Sequence, residues 1–225
     1  MESRIISCVG EKGGVGKSTL NCMLATNLVL LYGKSVVLID MDDPQYSLYK
    51  KRLRETNAEI SDDGQEIPYP VETASVENLR FIIKKYYGNV DYIIVDFPGS
   101  INREMVTGLY FIEHVFIPFS HDELEVDSTT VFYNTLRNNY LGDEKAALRS
   151  VHVFFNRYEK VKKNKFAKLR KLINGADINI MDSVVLDRTI YKEEYRSTIY
   201  PIPKNRENGE KEIKQFFDEI IEISK

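Results

Sequence analysis

The chain contains no tryptophan, two cysteines and three histidines among 225 residues. Two cysteines cannot make a disulfide scaffold. Cys8 falls in an apolar run and Cys22 in a helical pattern, so both read as small core residues in a reducing compartment rather than redox or metal groups. His114, His121 and His152 show no metal-ligand spacing. No apolar run approaches the ~20 residues that span a bilayer. The opening Met1-Glu2-Ser3-Arg4 leads straight into the first such run, which argues against a signal peptide and for a cytoplasmic protein. Internal repeats, low-complexity tracts and linkers are missing as well. A single domain over residues 1–225 is expected, long enough to bury a substantial core.

A strong net charge is also missing, the total being −3. Its distribution is uneven. Between Lys145 and Lys171 lie ten Lys and Arg residues against one acid, Glu159, so this window carries +9 and the remainder −12. A basic face on an acidic chain points to a polyanion contact. The candidates are Lys160, Lys162, Lys163, Lys165, Lys168, Arg170 and Lys171; a solvated helix face is the plainer account of the same run.

What is present is alternation. Apolar runs at 4–9, 35–40, 67–71, 91–96, 114–119, 150–155 and 182–186 alternate with helical patterns at 17–32, 45–55, 75–87, 102–110, 122–140, 162–174 and 207–224. This order implies an α/β fold, a mostly parallel twisted sheet with helices on both faces. The β-branched stretches 35–39 and 93–95 fit strands buried on two sides. Asn57 to Gln65 is polar and reads as a surface loop.

The most specific signal is Gly10-Glu11-Lys12-Gly13-Gly14-Val15-Gly16-Lys17-Ser18-Thr19, set between an apolar run and a helical pattern. Strand, glycine-rich loop and helix are the context of a P-loop. Glycines let backbone N–H groups wrap a phosphate, and the helix that follows adds partial positive charge. Gly13, Gly14, Val15, Gly16, Lys17, Ser18 and Thr19 would bind ATP, with Lys17 on the β- and γ-phosphates and the Ser18 hydroxyl on Mg²⁺. Asp96 closes the run Tyr92-Ile93-Ile94-Val95 ahead of Phe97-Pro98-Gly99. An apolar strand that delivers an acid in this way directs it toward Mg²⁺, commonly through a water.

An ordinary P-loop does not need Lys12. The pattern Lys12-Gly13-Gly14-Val15-Gly16-Lys17-Ser18 resembles the deviant Walker A loop of the ParA/MinD family of ATPases. The resemblance covers nearly the whole chain and is nearest to the small plasmid-partition members that lack an N-terminal helix-turn-helix. It implies a P-loop NTPase fold in which Lys12 reaches the partner's nucleotide across an ATP-induced dimer. It also implies that Asp40, at the end of the second strand, supports the metal shell. A second acid would orient the attacking water, and here the sequence Asp40-Met41-Asp42-Asp43-Pro44-Gln45 carries one residue more than the family pattern. Counted from the strand the second acid is Asp42; counted back from Pro44 it is Asp43. The strand end favours Asp42. Asn156 resembles the family's adenine-contacting position, and a turn residue is the alternative.

The resemblance further implies slow ATP hydrolysis accelerated by a ParB-like or other cargo adaptor, and a dimer that holds nonspecific DNA. Two other readings share the fold. A membrane-positioning ATPase would need a basic amphipathic C-terminal helix. Here Ile213, Phe216, Phe217, Ile220 and Ile221 form a stripe beside an acidic face, which argues against the membrane and for docking on the core. A biosynthetic ATP-dependent enzyme is the third.

Overall fold

A computed structural model describes residues 2–63, 67–100, 102–202 and 210–225. Seven parallel strands form one sheet: β1 (Arg4–Cys8), β2 (Val36–Asp40), β3 (Val71–Thr73), β4 (Tyr92–Asp96), β5 (His114–Phe119), β6 (Ser150–Tyr158) and β7 (Ile180–Leu186). Their order is β3-β2-β4-β1-β5-β6-β7. Parallel neighbours need crossovers, and helices supply them. These are α1 (Lys17–Leu30), α2 (Ser47–Asp63), α3 (Leu79–Tyr86), α4 (Arg103–Gly108), α5 (Glu123–Asn139), α6 (Lys163–Gly175), a short α7 (Ile190–Glu193) and α8 (Glu210–Ile223).

The strands feed two cores by period-two alternation. Ile5, Val37, Ile39, Ile93 and Val95 pack toward α3, α4, α5 and α6, through Leu79, Ile82, Met105, Phe132 and Phe166. Ile6, Cys8, Val36, Leu38 and Ile94 pack toward α1 and α8, through Leu20, Met23, Leu24, Leu28, Phe216 and Ile220. Every residue of β2, β4 and β5 is buried. That is why these runs read as continuous apolar stretches rather than alternating ones. β1 lies between β4 and β5: the chain builds one half of the sheet from β1 through β4, then crosses β1 to build the other half from β5 to β7. The loop after β1 therefore opens at a topological switch point, where open α/β sheets bind ligands.

Three expectations need correction. The segment read as a surface loop from Asn57 is helical through Asp63, the continuation of α2, and residues 64–66 lie outside the described ones. Asn57 is exposed, and polarity alone does not distinguish a solvated helix from a loop. The third strand falls at Val71–Thr73 rather than 67–71. Pro68 and Pro70 have no N–H to give to a ladder. β6 runs on past 155 to Tyr158, so Asn156 lies inside a strand and not after it. Of the helix expected at 207–224, residues 207–209 lie outside the described ones, and the described part is helical over Glu210–Ile223 with Ser224 in a turn. As expected, α8 docks on the sheet: Ile213, Phe216, Phe217 and Ile220 are buried, and the Phe216 ring lies 4.6 Å from that of Phe154. Among the described residues no helix is long and apolar enough to cross a membrane.

Gly108, the last residue of α4, touches the core directly. A Cβ built there would lie 2.4 Å from Cε1 of Phe97, which is buried beside the loop after β1. Gly108→Ala is therefore expected to overpack this contact, at a cost of about 1–3 kcal/mol. A chemical-denaturation midpoint unchanged from the parent would show that Phe97 can yield.

Candidate active site

The loop between β1 and α1 owes its shape to two glycines. Gly14 (φ 75) and Gly16 (φ 94) occupy the left-handed region, where other residues are strained. Gly16 is the N-cap of α1, and no side chain caps this helix or places an acid in its first turn. Its first N–H groups are therefore left for an anion. Space matters at a third glycine: a Cβ on Gly99 would sit 3.1 Å from Cα of Gly13, so the segment after β4 presses against the loop.

Above this loop opens a cavity of about 680 Å³, large enough for a nucleotide. Gly13, Gly14, Gly16, Lys17, Ser18 and Thr19 line it, together with Asp42, Gln45 and Ser47. Asn156, Arg157, Val185, Asp187, Arg188, Tyr191 and Arg196 complete the lining. Val15 and Lys12 do not line it; both border a small cleft with Gly10, Ile117 and Phe132.

Lys17 is buried, and its Nζ donates to the Lys12 carbonyl at 2.6 Å. Burial lowers its pKa, while Asp96 and Asp42 push it back up. Asp96 and Asp40 stand side by side at the ends of β4 and β2, paired in register and both fully buried. Asp96 Oδ1 accepts from Asn21 Nδ2 at 2.7 Å. Asn21 also grips the end of β1, donating to the Cys8 carbonyl and accepting from its N–H. Asp96 Oδ2 has no hydrogen-bond partner. Burial pushes the Asp96 pKa up to about 7, against the Asn21 amide, the Ser18 hydroxyl and the Lys17 ammonium, while Asp40 raises it further. An orphaned carboxylate oxygen next to a P-loop serine is what a hard cation or its bound water would satisfy. Among the described residues no three His, Cys, Asp or Glu residues gather as a metal cage.

Asp40 is occupied differently. Its Oδ2 accepts from the Leu48 and Tyr49 N–H groups at 2.9 and 3.1 Å, and its Oδ1 from the Asp42 N–H at 3.1 Å. It thus anchors the start of α2 and the turn before it. Asp42 is half-buried on the cavity wall, its pKa raised by burial first and Asp40 second, with Lys17 opposing. Asp43 is exposed and does not line the cavity.

A model of the CobQ/CobB/MinD/ParA nucleotide-binding domain (CbiA) matches residues 6–199. The chain belongs to this family. It is 25% identical over 166 residues to the sporulation initiation inhibitor protein Soj of Bacillus subtilis, covering 60% of this chain and 65% of Soj. Its fold is that of a plasmid partition protein (BB_S35) of Borrelia burgdorferi B31 bound to AMPPNP, with TM-score 0.68, 19% identity, and 99% and 100% of the two chains covered. The cell division protein MinD of Aquifex aeolicus is similar too, with TM-score 0.73, 18% identity, and 98% and 97% covered. The MinD/ParA fold therefore accounts for the parallel sheet, and the family for a nucleotide-binding cavity at its switch point.

Within this MinD/ParA frame, several cavity residues escape a reading of motifs. Arg157, Arg188 and Arg196 all line the cavity, and no acid pairs with any of them among the described residues. Arg188 Nε is buried without a partner. With Lys17 they face only Asp42 and Asp187, so the lining carries net positive charge suited to a polyanion. Asn21, Gly99 and Arg157 carry no motif of their own. Arg188 could have been flagged by its place just beyond the carboxyl end of β7. Asn156 does border the cavity, but both ends of its amide are engaged. Nδ2 donates to the Val15 carbonyl at 2.6 Å, and Oδ1 accepts from the Arg157 N–H at 2.9 Å.

The basic run divides into two groups. Lys160 pairs with Glu212 and Lys162 with Glu159; Arg170 donates to the Met181 carbonyl and lies over the Phe155 ring. Lys163, Lys165, Lys168 and Lys171 are exposed on α6 with no ion pair among the described residues.

Proposed function

We propose that the protein is a slow ATPase whose ATP-bound dimer holds DNA nonspecifically and whose hydrolysis releases it. ATP would lie in the cavity with its phosphates at Gly13–Thr19 and Lys17. Ser18 and Asp96 would hold Mg²⁺, which neutralises phosphate charge when bound. Asp42 would orient the attacking water, and Asp40 would steady the turn that carries Asp42. Lys12, off the wall of its own cavity, would complete the site of the partner protomer. The observation that carries this reading is that a buried Lys17 and a half-buried Asp42 line one nucleotide-sized cavity, with an orphaned oxygen of Asp96 buried near Lys17. The partition and cell-division names borne by proteins of the same fold support the purpose. A ParB-like or other adaptor would then stimulate turnover.

The unpaired lysines of α6 are the best DNA surface, because phosphate contacts need cations not already spent on acids. The test is size-exclusion chromatography of an Asp42→Ala variant with ATP, with and without random duplex DNA. A dimer that retains DNA in a salt-sensitive way is expected. Lys163→Glu with Lys168→Glu should lower the salt slope by about one per lysine and leave ATP affinity unchanged. Retention absent at all salt concentrations would remove DNA from the account. Phosphate release coupled to consumption of a small carboxylate, without DNA or protein, would instead favour a biosynthetic enzyme. The membrane alternative gains nothing from α8, whose apolar stripe is used inside the fold.

A further inference from the structure

Arg157 lies one residue from the end of β6, yet its backbone is left-handed (φ 54). Such a φ is uncommon for arginine and costs about 1–3 kcal/mol. It coincides with a register shift against β7 between Phe155 and Tyr158. Irregularities of this kind beside a site re-aim a side chain. The strain places the guanidinium on the P-loop, where Nη2 donates to the Gly14 carbonyl. The residue before it, Asn156, donates to the next carbonyl, that of Val15. Two consecutive residues of β6 therefore hold two consecutive carbonyls of the phosphate loop, across more than 140 residues of chain.

A phosphate cradle works when its N–H groups face the anion and its carbonyls do not. A fixed donor for each carbonyl enforces that choice before any ligand arrives, which lowers the ordering cost of binding. Arg157 suits this task. It lines the cavity, and no carboxylate among the described residues competes for its charge.

We propose that Arg157 is a positioning residue of the nucleotide site: by donating to the Gly14 carbonyl it holds the P-loop in its anion-receiving conformation, with Asn156 holding the neighbouring peptide. The proposal rests on the cavity being a nucleotide site.

The informative variant is Arg157→Gly, which removes the guanidinium and relieves the left-handed strain. Its apparent Tm should stay level or rise. Its affinity for ADP and for a non-hydrolysable ATP analogue, measured by titration calorimetry, should fall about tenfold, the worth of one charge-assisted hydrogen bond. Adenosine, which carries no phosphate, should bind both proteins alike. Arg157→Lys keeps one donor and should recover most of the loss. Wild-type affinity in the glycine variant would overturn the proposal. So would a lysine variant no better than glycine, or an equal loss for adenosine. A parent protein that binds neither nucleotide would overturn the nucleotide reading itself, a different failure.

Discussion

Lys17→Ala is expected to abolish measurable ATP binding while leaving the apo protein folded. Lys17 is 5% exposed and its ammonium is held by one carbonyl, with Asp96 and Asp42 acting on it at longer range. Its charge is thus desolvated without a close anionic partner, and a triphosphate would supply that partner. Truncating one side of a buried charge contact costs about 2–5 kcal/mol, roughly a thirty- to several-thousand-fold loss of affinity. In the apo protein the same truncation removes a charge that burial disfavours, so the thermal midpoint should move little. Calorimetric titration of ATP together with a melting curve separates the two effects. Retained affinity would mean that the anion does not sit on the loop.

Asp42→Ala should do the reverse, sparing binding and stopping turnover. Asp42 is the one carboxylate of the Asp40–Asp43 turn that lines the cavity. Asp40 is fully buried with its oxygens on backbone N–H groups, and Asp43 is exposed. Removing a group that positions a proton or water in the transition state costs about 10²–10⁴ in rate. Removing a negative charge near a triphosphate should leave ATP affinity level or raise it, so the ATP-loaded form should accumulate. Phosphate release and size-exclusion chromatography report both. Asp43→Ala should behave as the parent does. If it is Asp43→Ala that stops turnover, the turn is read in the wrong register.

Much of the site was legible because P-loop chemistry is local. On the proposed reading Gly13 to Thr19 would act through backbone N–H groups and adjacent side chains, a pattern that spacing alone exposes. Asp96 was legible because an apolar strand followed by an acid has few other uses beside such a loop. The polar residues from Asn57 were misread because helices and loops at a surface share a composition. The early end placed on the sixth strand hid its irregularity at Asn156 and Arg157.

The order of residues determined the parallel α/β architecture, the phosphate loop and the strand that presents Asp96, since each depends on contacts within a few residues or on simple periodicity. Three-dimensional packing decided the rest. It separated Asp42 from Asp43, buried Asp40 against the start of α2, and engaged three of the basic run's cations while leaving four with no ion pair among the described residues. It also brought Arg157, Arg188 and Arg196 to one cavity. Those outcomes depend on which strand ends become neighbours in the sheet, and partners more than a hundred residues apart leave no periodic trace along the chain.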